Sequence, residues 1–478
     1  MLNKHLKEIS KFYLMPMIIA IFIAIPLVLS RSDYQDDMYR TTSGYTDFWF
    51  ENARPLSVWI YRIINQNYVT PDTTPLNFII SITILLVSSL FLSKKISDKK
   101  EIRICSSILF MSTPFLTSIL SYKYDCLTVS IAIFLAVFFN ILELSNKIIL
   151  FIIRVVTVFS IFCIYQPVIA LAFGIVGLMI TSGTDEIKKH ITSALTKTLS
   201  IFIGFVIYKK TISDIYLSEH YKNLGKIISI DNNTLSKIFF NITGYSKLIY
   251  NFISEPYIMV PLIISSIYAL RNVIILRGSN GFVRFTIAAP FIFTSAIGCN
   301  IILQNPSFQA REMLGFPCLM IFITLLSWNK KERAKTSYII YTLTLGVLIT
   351  NTMISYTYLN FKDEMFRRDT YITNDIKSAI NHYGIENVKS IELVYSKTPY
   401  TDKQYNMVKA YPSIMDMIFN NGFANLWYAQ GYLSSINNIK IPMREVRTDI
   451  ETPDFKTCSS DSTIKDKIMK ISIKNNCL

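Results

Sequence analysis

Two aspartates and an arginine, Asp36-Asp37-Met38-Tyr39-Arg40, follow directly on the first long apolar run of the chain, and Arg54-Pro55-Leu56 opens the next segment. A carboxylate at the mouth of a membrane helix is expensive unless it is used. Within hydrogen-bond reach of a sugar hydroxyl, such a carboxylate can take its proton as general base. If the stretch is helical, Asp36 and Asp37 point about 100° apart, so one can face a pocket while the other caps or pairs. Arg40 stands four residues after Asp36, at ion-pair spacing on a helix. The same residues suit an interfacial cap with Arg40 as counter-ion, and residue types alone leave both readings open.

Three further stretches carry polar groups at the ends of apolar runs. Lys123-Tyr124-Asp125 lies in a tight turn, where Asp125 suits a helix N-cap and Lys123 can meet a phosphate as a point charge. Tyr165-Gln166-Pro167 breaks an apolar run, and a break at that depth is tolerated where a cavity is lined, by Gln166 in this case. The segment Gln304 to Glu312 holds Gln309 and Arg311. Arg311 is predicted to start the tenth apolar helix, where its charge opposes the helix dipole. A bound anion would resolve that conflict, which makes Arg311 a phosphate-contact candidate. Trp49 and Trp59 suit an aromatic belt at a membrane surface or a platform for sugar rings. The four histidines do not cluster, no Cys/His spacing suggests zinc, and no nucleophile has a base nearby in sequence. No metal or other cofactor is expected, although adjacent aspartates keep a divalent cation open.

The elements that must position these groups are membrane helices. The chain has 478 residues, 51% apolar, with a mean hydropathy of +0.36, too apolar for a soluble protein of this length. About eleven apolar runs read as spans: 12–30, 76–93, 103–120, 126–143, 147–164, 167–182, 193–208, 256–275, 282–303, 313–328 and 336–358. The seventh is weakened by Lys197. The first reads as a retained helix rather than a cleaved signal. The net charge of +15 is concentrated in short loops that all fall on the side of the N-terminus if every run crosses. The positive-inside rule puts that side in the cytoplasm, and nucleic-acid binding is disfavoured because the charge forms no single face. The outward loops are then 31–75, 209–255 and 304–312, together with two tight turns and the tail. Residues 1–358 read as a membrane body. Residues 359–478 read as a small outward α/β domain, with a short helix over 373–383 and an alternating strand over 388–395. Loop 209–255 has amphipathic stretches suited to a membrane surface. Five cysteines sit in or at the ends of apolar runs. Cys458 and Cys477, both in the tail, would pair as a disulfide if the tail lies in an oxidising compartment.

The ordered set Asp36-Asp37-Met38-Tyr39-Arg40, Gly44-Tyr45, Arg54-Pro55-Leu56, Tyr122-Lys123-Tyr124-Asp125 and Tyr165-Gln166-Pro167 resembles the serotype-converting O-antigen glucosyltransferases, the Gtr type II glucosyl transferases. The resemblance implies a GT-C-like, polytopic α-helical membrane enzyme of the bacterial inner membrane with a periplasmic C-terminal domain. It implies an inverting transfer of glucose from undecaprenyl-phosphate glucose to an O-antigen repeat unit of lipopolysaccharide, on the periplasmic face. Asp36 or Asp37 becomes the general base. Arg40, Arg54, Lys123, Tyr124, Asp125, Gln166, Gln309 and Arg311 become substrate contacts. A transporter or flippase for lipid-linked sugars, and an O-antigen polymerase or ligase, are the competing readings. The first predicts charges at mid-helix depth, and the second predicts arginines in one large outward loop.

Overall fold

The computed structural model describes residues 12–30, 32, 37, 40–41, 43–44, 46–183, 186–276, 278–394, 401–418, 433, 441–446, 450, 452–457 and 460–473. The chain divides into two compact units. The first comprises Met1–Val28, Thr46–Val69 and Thr73–Ser355, and the second Leu29–Tyr45, Thr70–Asp72 and Tyr356–Leu478.

The first unit is helical. Its principal helices are α1 (Leu14–Leu29), α2 (Pro55–Asn65), α3 (Leu76–Ile96), α4 (Lys100–Met111), α5 (Pro114–Leu120), α6 (Asp125–Ile141), α7 (Lys147–Ile164), α8 (Ile169–Ser182), α9 (Ile187–Tyr208), α10 (Thr234–Ile253), α11 (Pro256–Arg271), α12 (Gly278–Ile297), α13 (Phe316–Ser327) and, as far as Ser355, α14 (Arg333–Tyr383). Each apolar run read from the sequence lies on one or more of these helices, but runs and spans are not the same thing. Among the described residues six helices are long and apolar enough to cross a membrane, and α4 with α5 makes a seventh if that pair, bent by 49°, is one span. Leu14–Leu29, Asp125–Ile141, Gln166–Ser182 and Phe316–Ser327 are apolar but shorter, at 10–17 residues. Breaks encoded in the sequence account for the bend and for the late start of α8. Thr113 caps Leu116 N with its side chain and Pro114 opens α5. Pro167 sits in a 3-10 turn ahead of α8, because proline suits the start of a helix and not its interior.

Lys197, which weakened the seventh run, has a structural explanation. It is buried, and its Nζ donates to the Asn140 carbonyl at 3.0 Å. Arg154 Nη2 donates to the Leu142 carbonyl at 3.4 Å. The two cations thus satisfy carbonyls where α6 ends, and a cation at a helix C-terminus is favourable.

The backbone of Gly315 runs against α12. Ser295 Oγ donates to the Gly315 carbonyl at 3.2 Å, and a Cβ on Gly315 would collide with the Ser295 carbonyl. Backbone cannot yield as a side-chain tip can. Gly315→Val is therefore expected to cost about 1–3 kcal/mol of stability, read as a lower unfolding temperature of the purified protein. An unchanged temperature would contradict this packing.

In the second unit, Tyr356–Tyr383, the last part of α14, continues without a break through the 373–383 stretch, so the short helix read there is the end of a 51-residue helix. Ile372, Ile376, Ala379 and Ile380 share one buried stripe, at the i, i+4, i+7, i+8 spacing of a helix face. They pack with Ile391, Leu393, Met443, Met469 and Ile471 of a five-stranded sheet. Its strands are β1 (Ser390–Val394), β2 (Met443–Val446), β3 (Phe455–Lys456), β4 (Ser460–Lys465) and β5 (Ile468–Ile473), in the order β2-β1-β5-β4-β3. β1 pairs parallel with β2 and β5, and β4 pairs antiparallel with β3 and β5. The alternation read over 388–395 is the β1 strand, with Ile391 and Leu393 inward.

Candidate active site

Polar side chains in the first unit collect where apolar helices break. Arg54 precedes α2, whose first residue is Pro55. The turn before it is tight: Ala53 adopts φ 54°, and Arg54 N donates to the Trp49 carbonyl at 2.7 Å. A non-glycine residue in the left-handed region persists only where its surroundings over-determine it. Tyr208 Oη donates to the Ala53 carbonyl at 3.2 Å, and Gln166 Nε2 donates to the Asn52 carbonyl at 3.1 Å and is 2.9 Å from Tyr208 Oη.

The turn aims Arg54. Its Nε donates to Gln166 Oε1 at 3.1 Å, its guanidinium lies 4.6 Å over the Tyr165 ring, and its Nη1 is 3.9 Å from Asp125 Oδ1. Among the described residues its Nη groups have no hydrogen-bond acceptor, and the side chain is 20% exposed. Gln166 is thus saturated by Arg54, Asn52 and Tyr208, an orienting group as much as a cavity lining.

Asp125 is the first residue of α6, not its N-cap, which is Tyr124. The acidic side chain still sits at the favourable end of the dipole. It accepts from Trp49 Nε1 at 2.8 Å and faces Arg54. Trp49 is fully buried and stacks on Tyr61 at 5.1 Å, so neither the belt nor the sugar platform holds for it. Trp59 is 52% exposed. Tyr124 is enclosed with Trp49, Val58 and Tyr61, and its carbonyl accepts from Tyr61 Oη. Lys123 is half-buried, and its carbonyl accepts from Asn77 Nδ2 at 3.2 Å.

Arg311 lies on a 3-10 turn, Ala310–Glu312, and α13 begins only at Phe316. The expected clash with a helix dipole therefore does not arise, since the charge falls off within a turn of the helix end. Its Nη1 donates to Tyr122 Oη, and the guanidinium lies 5.0 Å over the Tyr122 ring. Tyr165 joins the two arginines: its ring carries Arg54, and its Oη donates to the Arg311 carbonyl at 3.4 Å. Arg54, Arg311, Asp125 and Glu312 all act electrostatically on this buried phenol. Gln309, next to the turn, is buried, and its Oε1 has no hydrogen-bond partner among the described residues.

Glu312 was not among the residues singled out from the sequence. It accepts from Tyr245 Oη at 2.7 Å and Asn300 Nδ2 at 2.9 Å, and also from Ser307 Oγ. Burial, and then the Glu312 carboxylate, push the Tyr245 phenol up, so it remains a donor at working pH. The carboxylate thus pins loop 304–312, which carries Gln309 and Arg311. Glu312→Gln replaces an acceptor oxygen by an NH₂ group facing donors. It is expected to lower turnover by roughly tenfold or more, as a misplaced positioning group does, with thermal stability reduced less than by a core truncation. Full turnover in this variant would remove Glu312 from the site.

Asp37 and Arg40 belong to the second unit, where both are buried and helical, and the Asp37 carbonyl accepts from Thr41 Oγ1 at 2.8 Å. Asp36 lies outside the described residues, as do Cys458 and Cys477. Cys105, Cys126, Cys163, Cys299 and Cys318 are free thiols. Among the described residues no group of three or more His, Cys, Asp or Glu side chains is placed to hold a metal ion.

A largely helical chain with several helices long and apolar enough to cross a membrane defines a membrane protein. More specifically, the chain belongs to the family described as glucosyl transferase GtrII, whose model matches residues 25–370. It is therefore a glycosyltransferase. It is also similar to an uncharacterized 55.3 kDa protein in the gtrB 5' region of Salmonella phage P22, with 25% identity over 436 residues, covering 84% of each chain. No solved structure matches it significantly.

Proposed function

We propose that this enzyme moves glucose from undecaprenyl-phosphate glucose to an O-antigen repeat unit of lipopolysaccharide, on the periplasmic face of the bacterial inner membrane. The observation that carries this reading is Arg54, fixed through Nε and its flat face, its Nη groups without a hydrogen-bond acceptor among the described residues, with the Arg311 backbone bonded to the same tyrosine and the Arg311 guanidinium over Tyr122. Two guanidiniums held this way suit a phosphate whose charge grows as it leaves. In a single inverting displacement the acceptor oxygen bonds to the anomeric carbon as the bond from that carbon to the phosphate oxygen breaks. The acceptor proton passes to a carboxylate, and the electron pair departs with the lipid phosphate.

Both carboxylates of the first unit's cluster already accept hydrogen bonds, Asp125 from Trp49 and Glu312 from three donors. Following the family resemblance, we assign the base to the Asp36-Asp37 pair, with Asp36 preferred. Arg40, Lys123, Tyr124, Asp125, Gln166 and Gln309 act as substrate contacts or hold those contacts in place. No metal is required by this scheme, because a phosphate already leaves well. We further read the body as GT-C-like with its N-terminus in the cytoplasm, residues 1–358 as the catalytic body, and residues 359–478 as a periplasmic domain with a Cys458–Cys477 disulfide.

The flippase reading gains nothing from Lys197 and Arg154, since both serve helix-end carbonyls. Mass spectrometry of lipopolysaccharide from cells expressing the protein tests the assignment. A repeat unit heavier by one hexose, dependent on the undecaprenyl-phosphate glucose supply, is expected. An unmodified repeat unit in the presence of donor and acceptor would refute it.

A further inference from the structure

A second cationic site lies within the first unit, built from the ends of α11 and α14 and the segment between α13 and α14. A cavity of about 640 Å³ is lined by Ile267, Tyr268, Arg271, Lys331, Glu332, Arg333, Ala334 and Lys335. Four of these side chains are cationic and one is acidic. Carboxylates hold the arginines as walls. Arg271 forms a two-pronged pair with Glu332 at 2.9 and 2.8 Å, and Arg333 pairs with Glu101 through Nε at 3.0 Å and Nη2 at 2.6 Å. Lys335 lies 5.2 Å over the Tyr268 ring, and Arg271 lies 5.8 Å from the same ring. No ion pair engages Lys331 or Lys335 among the described residues, and their ammonium groups leave the cavity positive.

The surroundings are apolar. On α11, Ile263 and Ile267 are 53% and 59% exposed, and on α14, Tyr338 and Leu345 are 71% and 54% exposed. Both α14 and the stretch Pro256–Ile275 that contains α11 are of spanning length, so these exposed faces are where acyl chains would run.

We propose that the cavity binds the phosphate headgroup of an anionic glycerophospholipid, whose acyl chains lie along the exposed faces of α11 and α14. A free phosphate shares the headgroup chemistry but would gain nothing from those faces.

The test is native mass spectrometry of the full-length protein in detergent, titrated with phosphatidylglycerol, with phosphatidylcholine of the same chains, or with inorganic phosphate. Phosphatidylglycerol is expected to be retained in preference. Lys331→Gln/Lys335→Gln is expected to weaken that retention by roughly tenfold, as the loss of two basic groups facing an anionic lipid does. The control pair Lys188→Gln/Lys189→Gln, on another basic stretch, should retain it. Glycosyl transfer in saturating lipid should be unchanged in both double variants, which establishes that they fold. Equal retention of the two lipids, equal loss in the control pair, or no loss in Lys331→Gln/Lys335→Gln would overturn the proposal. Displacement of phosphatidylglycerol by millimolar inorganic phosphate would overturn the lipid as ligand.

Discussion

Arg54→Lys is expected to lower glucosyl transfer by roughly a hundredfold or more, the scale of losing one preorganised donor to a developing anion. The substitution keeps the charge and removes the geometry. Lysine cannot donate to Gln166 from the Nε position, nor lie flat on Tyr165, and its point charge has no planar fork to offer a phosphate. The ammonium would be free to turn toward Asp125, which Arg54 faces at 3.9 Å. The loss should fall mainly on kcat, because the leaving phosphate gains charge only as the transition state forms. A rate within twofold of wild type in membranes supplied with donor and acceptor would show that Arg54 is structural.

The second large effect is expected at the aspartate pair. Removing a general base lowers the rate by roughly 10² to 10⁴. One of Asp36→Asn and Asp37→Asn should show that loss and the other a much smaller one, because only one carboxylate can take the proton of one hydroxyl. Asp37 is fully buried, so Asp37→Asn needs a gel-filtration profile beside its activity to separate misfolding from lost chemistry. A folded Asp37→Asn with full activity would leave the role to Asp36. Full activity in both variants would remove the pair from the reaction.

Helix positions were legible because long apolar stretches leave the backbone no other way to satisfy itself in a membrane. What escaped was whatever depends on contacts distant in sequence. Trp49 read as an interfacial aromatic, yet it is buried through a bond to a carboxylate 76 residues away. Glu312 passed unnoticed because its partner Tyr245 lies 67 residues earlier. The continuity of α14 was hidden because the charged stretch from Lys362 to Arg368 resembles the end of a membrane helix, whereas a helix can continue into a polar unit. Arg311 was placed on a helix although Pro317, the second residue of α13, marks the true start. Arg54, Asp125 and Gln166 were chosen for residue type and position at helix ends, and Tyr122 and Tyr165 stood beside them only as members of the motifs. The structure brings these five together in one unit, where Tyr165 touches both arginines.

Binding of undecaprenyl phosphate, compared with undecaprenol, to the purified protein measures the central claim most directly. Wild type should prefer the phosphate. Arg54→Ala and Arg311→Ala should each weaken that preference by roughly tenfold, the scale of a charge-assisted contact, while Lys331→Gln/Lys335→Gln leaves it intact. Equal affinity for the two lipids, or a phosphate preference untouched by both arginine substitutions, would contradict a donor phosphate held between Arg54 and Arg311.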